Sequence, residues 1–373
     1  MTRYKPKSVL FLLSKVLGGK TFSSHVMRVV HDMDHIKPHF VFLEEDDYGR
    51  YCKELPAFNR HTGLFLGSSI LRLKLRKDPP PPCDAVFVQS FEVLPALQDL
   101  DPLCPVILAH DSTNILSYRL IRDLDPTPAA KFICAFKSLL VTPNYRSVIH
   151  RARAFLPRTH WCARSLVKDF GVSPERIIVA PGGLDTDLWT PDWNRMRVEP
   201  PTLLWVGNDF ARKGGKFLLD TFVKHIYPRA RLRIVSNEPA LQDREWPDGV
   251  EFITGLGHKD PAALVEVYRT SDIFVFPTRK EHMGMVLTEA CAVGLPIVAT
   301  DVGGVQEAVH HDKNGFLIPY NAGAETWAHA IMQLVENPEM RERFAVHSRE
   351  IAETEFAFGI LSERVEQAFA KLA

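Results

Sequence analysis

Two series of short apolar runs constrain the fold of this chain more than any other feature. Each run is rich in β-branched and aromatic residues and is separated from the next by a longer segment with helical periodicity. This alternation is typical of buried parallel strands joined by crossover helices. The first series consists of SVLFLLS at residue 8, HFVFL at 39, AVFVQS at 85, PVILAHD at 105 and RIIVAP at 176.

The second series begins after LWTPDWNRMRVEPPT, residues 188–202, whose prolines and polar residues predict a linker between domains. Its runs are TLLWVG at 202, RLRIVS at 231, VEFITG at 250, DIFVFP at 272, PIVAT at 296 and GFLIP at 315. After residue 323 the pattern is helical throughout. We therefore expect an α/β protein with two doubly wound, Rossmann-like domains, at residues 1–190 and 200–355.

Composition narrows the range of partners. With 373 residues the chain is long enough for two cores, and 45 basic residues balance 45 acidic ones, which argues against nucleic acid as a partner. The six cysteines lack metal-binding or disulfide spacing, and the first apolar run is too short for a signal peptide or a membrane span. These features predict a cytoplasmic protein without disulfides, zinc or a transmembrane segment.

The stretch EHMGMVLTEA carries two acids on either side of a predicted strand-to-helix turn. Glu281 lies in the loop after DIFVFP, Gly284 allows close backbone approach, and Glu289 falls about one turn inside the following helix. The amino terminus of a helix can bind a phosphate, and a nearby carboxylate can accept hydrogen bonds from sugar hydroxyls. Acids are also common in the first turn of helices that bind nothing, so spacing alone leaves this structural alternative open.

The longer segment FPTRKEHMGMVLTEACAVGLPIVATDVGGVQEAVHHDKNGFLIP resembles the signature of the family 4 glycosyltransferases. Their motif is two glutamates separated by seven residues, which Glu281 and Glu289 match. VGNDFARKGGKFLLDTF, FITGLG and GVSPERIIVAPGGLDTDLWTP resemble further segments of that family. The resemblance implies the GT-B fold, two Rossmann-like domains facing a cleft, with the C-terminal helix, about residues 356–373, crossing back to the first domain.

The resemblance also implies how the donor diphosphate is bound. In that family an arginine and a lysine of a basic loop bind the diphosphate, and Lys213 matches the lysine. The arginine position holds Asn208, so we expect Arg212 to supply the second cation. The alternative for this cluster is a solvated helix start.

Further donor contacts follow from the resemblance through backbone groups. Gly255 and Leu256 lie in the loop that contacts the base, while Gly284, Met285 and Val286 lie at the phosphate-binding turn. The glycine pair Gly18 and Gly19 allows close approach of donor or acceptor. Gly19, Lys20 and Thr21 also fit the end of a P-loop, but its first glycine is replaced by Ser14, which argues against nucleotide hydrolysis.

His110, at the end of the predicted strand PVILAHD, resembles the family histidine that hydrogen-bonds a hydroxyl of the transferred sugar; a structural histidine is the alternative. Four Asp-x-Asp triplets, at 32, 99, 123 and 185, are short patterns of common residues, and no metal is expected. The catalytic set is thus Glu281, Lys213, Arg212 and His110. Apart from a nucleotide diphosphate sugar as donor substrate, no cofactor is predicted.

The predicted function is a retaining, metal-independent transfer of a sugar from a UDP- or GDP-sugar to a sugar, lipid-linked or small-molecule acceptor. The first domain is expected to bind the acceptor and the second the donor. Two alternatives stay open, a sugar-nucleotide epimerase of the same fold and a non-catalytic nucleotide-sugar-binding protein. The basic stretches LRLKLRK and YRSVIHRARAFLPR, both interpreted as helices, raise a further hypothesis of peripheral contact with an anionic membrane.

Overall fold

The computed structural model describes residues 7–16, 19–51, 54, 66–90, 96–98, 100–124, 127–196, 198–257 and 261–372. The chain divides into two compact units. Unit 1 comprises Met1–Gly183 and Phe358–Ala373, and unit 2 comprises Leu184–Ala357. The predicted linker at 188–202 lies within unit 2, where Arg195 pairs with Asp272 and the Thr202 N–H donates to the Asp272 Oδ2 at 2.8 Å.

Within the described ranges, unit 1 contains a parallel sheet of five strands in the order β2-β1-β3-β4-β5. The strands are β1 Lys7–Ser14, β2 Ile36–Leu43, β3 Ala85–Gln89, β4 Val106–His110 and β5 Ala152–Pro157. The helices, numbered in chain order through both units, are α1 Gly19–His31, α2 Glu45–Tyr51, α3 Leu66–Lys77, α4 Asn114–Leu124, α5 Pro128–Ile149, α6 His160–Phe170 and α12 Phe358–Ala370.

Helix α12 is the last helix of the chain and completes the core of unit 1. Successive residues of β1 point to opposite faces of the sheet, so Leu10 and Leu12 belong to one apolar cluster and Val9 and Phe11 to another. The second cluster contains four side chains of α12, which are buried against the sheet: Leu361, Val365, Ala368 and Phe369.

Unit 2 is built on a six-stranded parallel sheet, counted over the described residues, in the order β11-β10-β9-β6-β7-β8. Its strands are β6 Thr202–Val206, β7 Arg231–Val235, β8 Val250–Ile253, β9 Ile273–Phe276, β10 Ile297–Asp301 and β11 Gly315–Pro319. Its helices are α7 Gly215–Thr221, α8 Pro261–Arg269, α9 Met285–Ala292, α10 Ala324–Glu336 and α11 Pro338–Ile351.

The predicted fold class is confirmed, with two parallel sheets and a last helix in unit 1. One strand assignment was wrong. The fifth strand is Ala152–Pro157, within a stretch interpreted as a basic helix, whereas RIIVAP forms an irregular edge beside it through the N–H groups of Ile178 and Ala180. Buried residues flanking the exposed Arg153 stabilise the strand. No helix of the described residues is long and apolar enough to span a membrane.

Candidate active site

Six loops of unit 2 follow the carboxyl ends of its strands, in the described residues at 207–214, 236–238, 254–257, 277–284, 302–304 and 320–323. Because all six strands are parallel, these loops meet at one edge of the sheet, where open α/β sheets bind their ligands. Strands β6 and β9 are direct neighbours, with Leu203 opposite Ile273. The loops that carry Lys213 and Glu281 are therefore brought together by the sheet.

Lys213 is positioned by both its backbone and its side chain. Its N–H donates to the carbonyl of Asp209 at 2.8 Å, and its own carbonyl accepts a hydrogen bond from Trp205 Nε1 at 3.1 Å. A Cβ at Gly207 would lie 2.8 Å from the Lys213 Cδ, so this glycine leaves room for the lysine stem. The ammonium group lies 5.4 Å from the ring centroid of Phe276, close enough for a cation–π contact.

The Lys213 ammonium and the Glu281 carboxylate face each other across the two loops. Their nearest atoms, Nζ and Oε2, are 3.8 Å apart, with 20% and 16% of the side chains exposed. Oε2 is buried and makes no hydrogen bond to any described residue, whereas Oε1 accepts the N–H of His282 at 3.2 Å. A half-buried carboxylate with one unused oxygen beside a cation is suited to bind a ligand hydroxyl.

Two glycines fix the backbone around Glu281. Gly284 has φ +79°, which L side chains rarely adopt, and it precedes α9 as the N-cap. Gly303, in the loop after β10, has φ +60°, and a Cβ there would lie 1.9 Å from the carbonyl oxygen of Glu281. Any side chain at 303 would therefore displace the Glu281 backbone.

Arg212 joins the same two loops. Its Nε donates to Asp209 Oδ2 at 2.6 Å, one terminal nitrogen donates to the carbonyl of Lys280 at 2.7 Å, and its carbonyl accepts the N–H of Arg279. The side chain remains 40% exposed. Its position next to Lys213 keeps it a candidate second cation, although Asp209 already neutralises part of its charge.

Asn208, which stands at the family's arginine position, links three loops. Its Oδ1 accepts the N–H of Asn237 at 2.9 Å; the Asn237 side chain in turn accepts from the N–H of Gly255 at 2.8 Å and donates to the carbonyl of Leu256 at 2.6 Å. Gly255 has φ +81°, so a side chain there would be strained. Asn208 thus helps to order the predicted base-contacting loop, because it holds Asn237, whose side chain bonds that loop.

Glu289 lies inside unit 2, in contact with a tyrosine that the sequence did not single out. The hydroxyl of Tyr268 donates to Glu289 Oε2 at 2.8 Å, and both residues are buried. Burial raises the pKa of Glu289 to about 7, and it raises the pKa of Tyr268 as well; the Tyr268 hydrogen bond and the Lys213 charge lower the pKa of Glu289 only in part. Tyr268 is held by ring contacts with Trp189 and Phe274, at centroid distances of 5.2 and 5.7 Å.

The first turn of α9 contains Met285 and Val286, directly after the positive-φ Gly284. The N-cap residue Gly284 has no side chain to cap the helix, and the N–H of Leu287 bonds the Gly284 carbonyl at 2.9 Å. A helix start that follows Glu281 closely in the chain provides a positive dipole end, which favours an anion.

The predicted site residues of unit 1 lie at the carboxyl edge of their own sheet. His110 ends β4 and is 3% exposed; burial lowers its pKa to about 4, so the imidazole is neutral at physiological pH. Gly19 begins α1, and a Cβ there would lie 2.6 Å from the Ser14 carbonyl oxygen, while its own carbonyl accepts from Gln89 Nε2 at 3.0 Å. Gly18 lies outside the described residues.

Three functional candidates were missed by sequence reasoning, namely Tyr268, Asn237 and Gly303. Asn237 lies two residues after β7, so a search of every strand end would have found it. Tyr268 and Gly303 act on residues 21 and 22 positions away in the chain, and no local pattern indicates such contacts. Among the described residues, no group of three or more His, Cys, Asp or Glu side chains is arranged to hold a metal ion.

Two doubly wound parallel sheets with strand-end loops of this kind define the GT-B class of glycosyltransferase folds. Residues 192–350 match the family described as "Glycosyl transferases group 1". The match includes Lys213, Glu281 and Glu289, so the resemblance inferred from sequence is confirmed at the level of group 1.

Similar sequences include two D-inositol 3-phosphate glycosyltransferases. The protein from Corynebacterium aurimucosum is 27% identical over 296 residues, covering 73% of this chain and 68% of the relative. The one from Geodermatophilus obscurus is 31% identical over 263 residues, covering 62% of this chain but only 54% of the relative. The similarity therefore spans between half and about two thirds of those proteins.

Solved structures share the fold over nearly the whole chain. Sucrose-phosphate synthase from Thermosynechococcus elongatus has a TM-score of 0.71 at 15% identity, covering 98% of this chain and 99% of that one. The Anabaena protein HepE in complex with UDP has a TM-score of 0.64 at 14% identity, with the same coverage. At these identities the comparisons establish the fold.

Proposed function

We propose that this chain is a retaining, metal-independent glycosyltransferase of family 4 that uses a UDP- or GDP-sugar as donor. The observation that carries the proposal is the pairing of the Lys213 ammonium with the half-buried Glu281 carboxylate. Both lie at the carboxyl edge of the unit 2 sheet, within the segment that matches group 1. The Lys213 cation is suited to bind the phosphate, and Glu281 is suited to accept a hydrogen bond from a sugar hydroxyl. At 3.8 Å the two groups are close enough to contact both sides of one sugar-phosphate bond.

The chemistry assigns a role to each group of this edge. Cleavage between sugar and diphosphate places negative charge on the leaving phosphate, which Lys213, Arg212 and the first turn of α9 stabilise. Glu281 Oε2 accepts a hydroxyl of the sugar. Because the leaving phosphate can itself take the proton of the acceptor, attack on the face that it leaves retains the anomeric configuration without a protein nucleophile.

Glu289 binds the donor ribose in this proposal. Tyr268 occupies its Oε2, which leaves Oε1 for a ribose hydroxyl. Gly255 and Leu256, ordered by Asn208 and Asn237, contact the base through backbone groups. His110 remains a prediction: as a neutral imidazole it is suited to hydrogen-bond a hydroxyl of the transferred sugar.

The acceptor and the location complete the proposal. The names of the relatives make an inositol phosphate the first small-molecule acceptor to test, and other sugars and lipid-linked sugars follow. Unit 1 is proposed to bind the acceptor. We place the protein in the cytoplasm with peripheral membrane contact.

The first experiment measures thermal unfolding of the intact protein with UDP, GDP, ADP and their glucose and mannose conjugates. We expect one nucleoside diphosphate to raise the Tm by several degrees at saturating concentration, since a ligand bound only by the folded state stabilises it. Release of this nucleoside diphosphate from its sugar conjugate should then require an acceptor. NMR of the product should show the anomeric configuration of the donor. A product of inverted configuration would contradict the proposed mechanism.

The epimerase and the binding protein differ from a transferase in the turnover that they show with and without an acceptor. A sugar-nucleotide epimerase converts its substrate without an acceptor, and a binding protein shows a Tm shift with no turnover over any acceptor panel. The choice between an epimerase and a transferase is therefore made by omitting the acceptor, with the donor and the protein unchanged.

Replacing Tyr268 with phenylalanine should weaken binding of the matching nucleoside diphosphate several-fold at pH 7, because the Tyr268 hydroxyl orients Glu289 and favours its charged form. Since that bond favours the charged form of Glu289, its loss should also raise the pH at which affinity declines on acidification. Calorimetric titration between pH 6 and 8 measures both effects.

Tyr227→Phe is the matched control, because Tyr227 is 45% exposed and precedes the amino end of β7, at the opposite edge of the sheet. Equal affinities in wild type and Tyr268→Phe across that pH range would show that Tyr268 serves packing alone.

A further inference from the structure

Helix α5 of unit 1 presents apolar side chains to solvent along one side. Phe132, Phe136 and Leu139 are 70%, 51% and 72% exposed, and Ile133 beside them is 51% exposed. Spacings of four, three and seven residues place the first three on one face of a helix. The rings of Phe132 and Phe136 stack at a centroid distance of 6.3 Å. We call these four side chains the α5 face.

The opposite side of α5 is already packed in the core of unit 1. Tyr145, Val148 and Ile149 are buried in its apolar cluster, and Cys134 is 7% exposed. The α5 face is therefore not the side of the helix that packs into the core of unit 1. Exposing several large apolar side chains together is costly in water, so such a group indicates a surface that is covered in use.

The charges on α5 indicate which kind of partner covers the α5 face. The helix, Pro128–Ile149, contains Lys131, Lys137 and Arg146 and no acidic residue in its sequence. Aromatic and aliphatic side chains flanked by cations are the composition of helices that lie in the interface of an anionic bilayer. A second copy would instead place the cations of two identical faces against each other.

Two described acids on neighbouring helices already have arginine partners. In α4, which packs on α5, Asp123 accepts from the guanidinium of Arg122 at 3.0 Å. Asp169, in α6, is paired with Arg119 at 2.7 Å. Among the described residues, these two acids are thus already paired, and Lys131 and Lys137 are the cations that flank the α5 face.

The basic stretches named from the sequence do not provide such a surface. In α3, Ile70, Leu71 and Leu75 are buried, while Lys74 and Lys77 pair with Asp47 and Glu54 at 2.7 and 2.8 Å. The second stretch, residues 145–158, runs from the buried end of α5 into β5.

We propose that the α5 face is an interfacial membrane-binding surface that docks unit 1 on an anionic lipid bilayer, with Phe132, Phe136 and Leu139 inserted at the level of the headgroups. The proposal rests on the peripheral contact in the proposed function and names its surface. Lys131 and Lys137 supply attraction to the lipid charge. The surface brings the protein to acceptors that reside in a membrane.

Cosedimentation with vesicles tests this surface. We expect the wild type to bind vesicles of equal parts phosphatidylcholine and phosphatidylglycerol, to bind pure phosphatidylcholine more weakly, and to be released by salt. The double variant Phe132→Ser with Phe136→Ser should bind at least about tenfold more weakly, and Lys131→Gln with Lys137→Gln should remove the preference for the anionic vesicles.

Val223→Ser with Val346→Ser is the control, because these apolar residues of unit 2 are also exposed, at 47% and 56%, and it should bind like the wild type. The proposal is overturned if the wild type ignores both vesicles, if the phenylalanine variant binds equally well, or if sedimentation velocity shows a dimer that this variant abolishes. The Tm shift with nucleotide reports the donor site independently, so failure of vesicle binding leaves the proposed reaction intact.

Discussion

Replacing Lys213 with alanine should reduce the rate of sugar transfer by a factor on the order of 10² or more. The ammonium stabilises charge that develops on the leaving phosphate, and loss of one such preorganised contact costs several kcal/mol in the transition state. Nucleoside diphosphate binding should weaken as well, because the same charge meets the bound product. Steady-state kinetics with the matching donor, together with calorimetric titration of its nucleoside diphosphate, measures both losses.

Lys216→Ala provides the comparison for this variant. Lys216 is three residues further along, 66% exposed, and pairs with Asp220 at 2.8 Å, so its loss should leave transfer near the wild-type rate. Near-normal turnover in Lys213→Ala, with unchanged nucleotide affinity, would refute the phosphate-binding role and leave Lys213 as a packing residue beside Gly207 and Phe276.

Replacing Glu281 with glutamine should lower kcat roughly 10- to 100-fold while leaving affinity for the nucleoside diphosphate unchanged or tighter. Glutamine keeps the shape but loses the charge that strengthens a hydrogen bond to the sugar hydroxyl, and a hydrogen bond to a charged group contributes about 1.5 to 3 kcal/mol. The nucleoside diphosphate lacks the sugar, and removing the carboxylate 3.8 Å from Lys213 leaves that cation more available to phosphate. The split between turnover and product affinity separates a sugar contact from a general loss of structure.

Glu266→Gln, on the exposed side of α8, is the corresponding control and should be silent in both measurements. The role assigned to Glu281 would be wrong if its variant lost affinity for the nucleoside diphosphate in proportion to turnover. It would also be wrong if a large fall in Tm accompanied the loss of activity.

The sequence predicts all six strands of unit 2, because each is a short stretch rich in apolar residues that is followed or preceded by polar or glycine-rich turns. It misassigned the last strand of unit 1 for a physical reason. Ala152–Pro157 lies at the sheet edge and carries Arg153 to solvent, so its pattern contains basic residues that also suit the surface of a helix. Edge strands lose the apolar continuity that makes central strands recognisable.

The sequence predicts the strand ends that carry the site, although β6 and β9 are neighbours in the sheet and not in the chain. Lys213 and Glu281 follow strands that the topology makes neighbours, so a parallel sheet brings their loops together. The environment of Glu289 depends on Tyr268 reaching it from α8, and the support of Glu281 depends on Gly303 from the loop after β10. Both contacts arise from packing between separate segments and have no signature in local spacing.

Helix α12 gives the chain an unusual order of assembly during translation. Unit 2 is one continuous segment, so everything its core requires has been synthesised by residue 357. Unit 1 contains strands that are made before unit 2, yet the cluster around Phe11 is only partly covered, by α1, until Leu361, Val365 and Phe369 are made. One side of the unit 1 core is therefore completed only after unit 2 has been synthesised, so the unit that starts first is finished second.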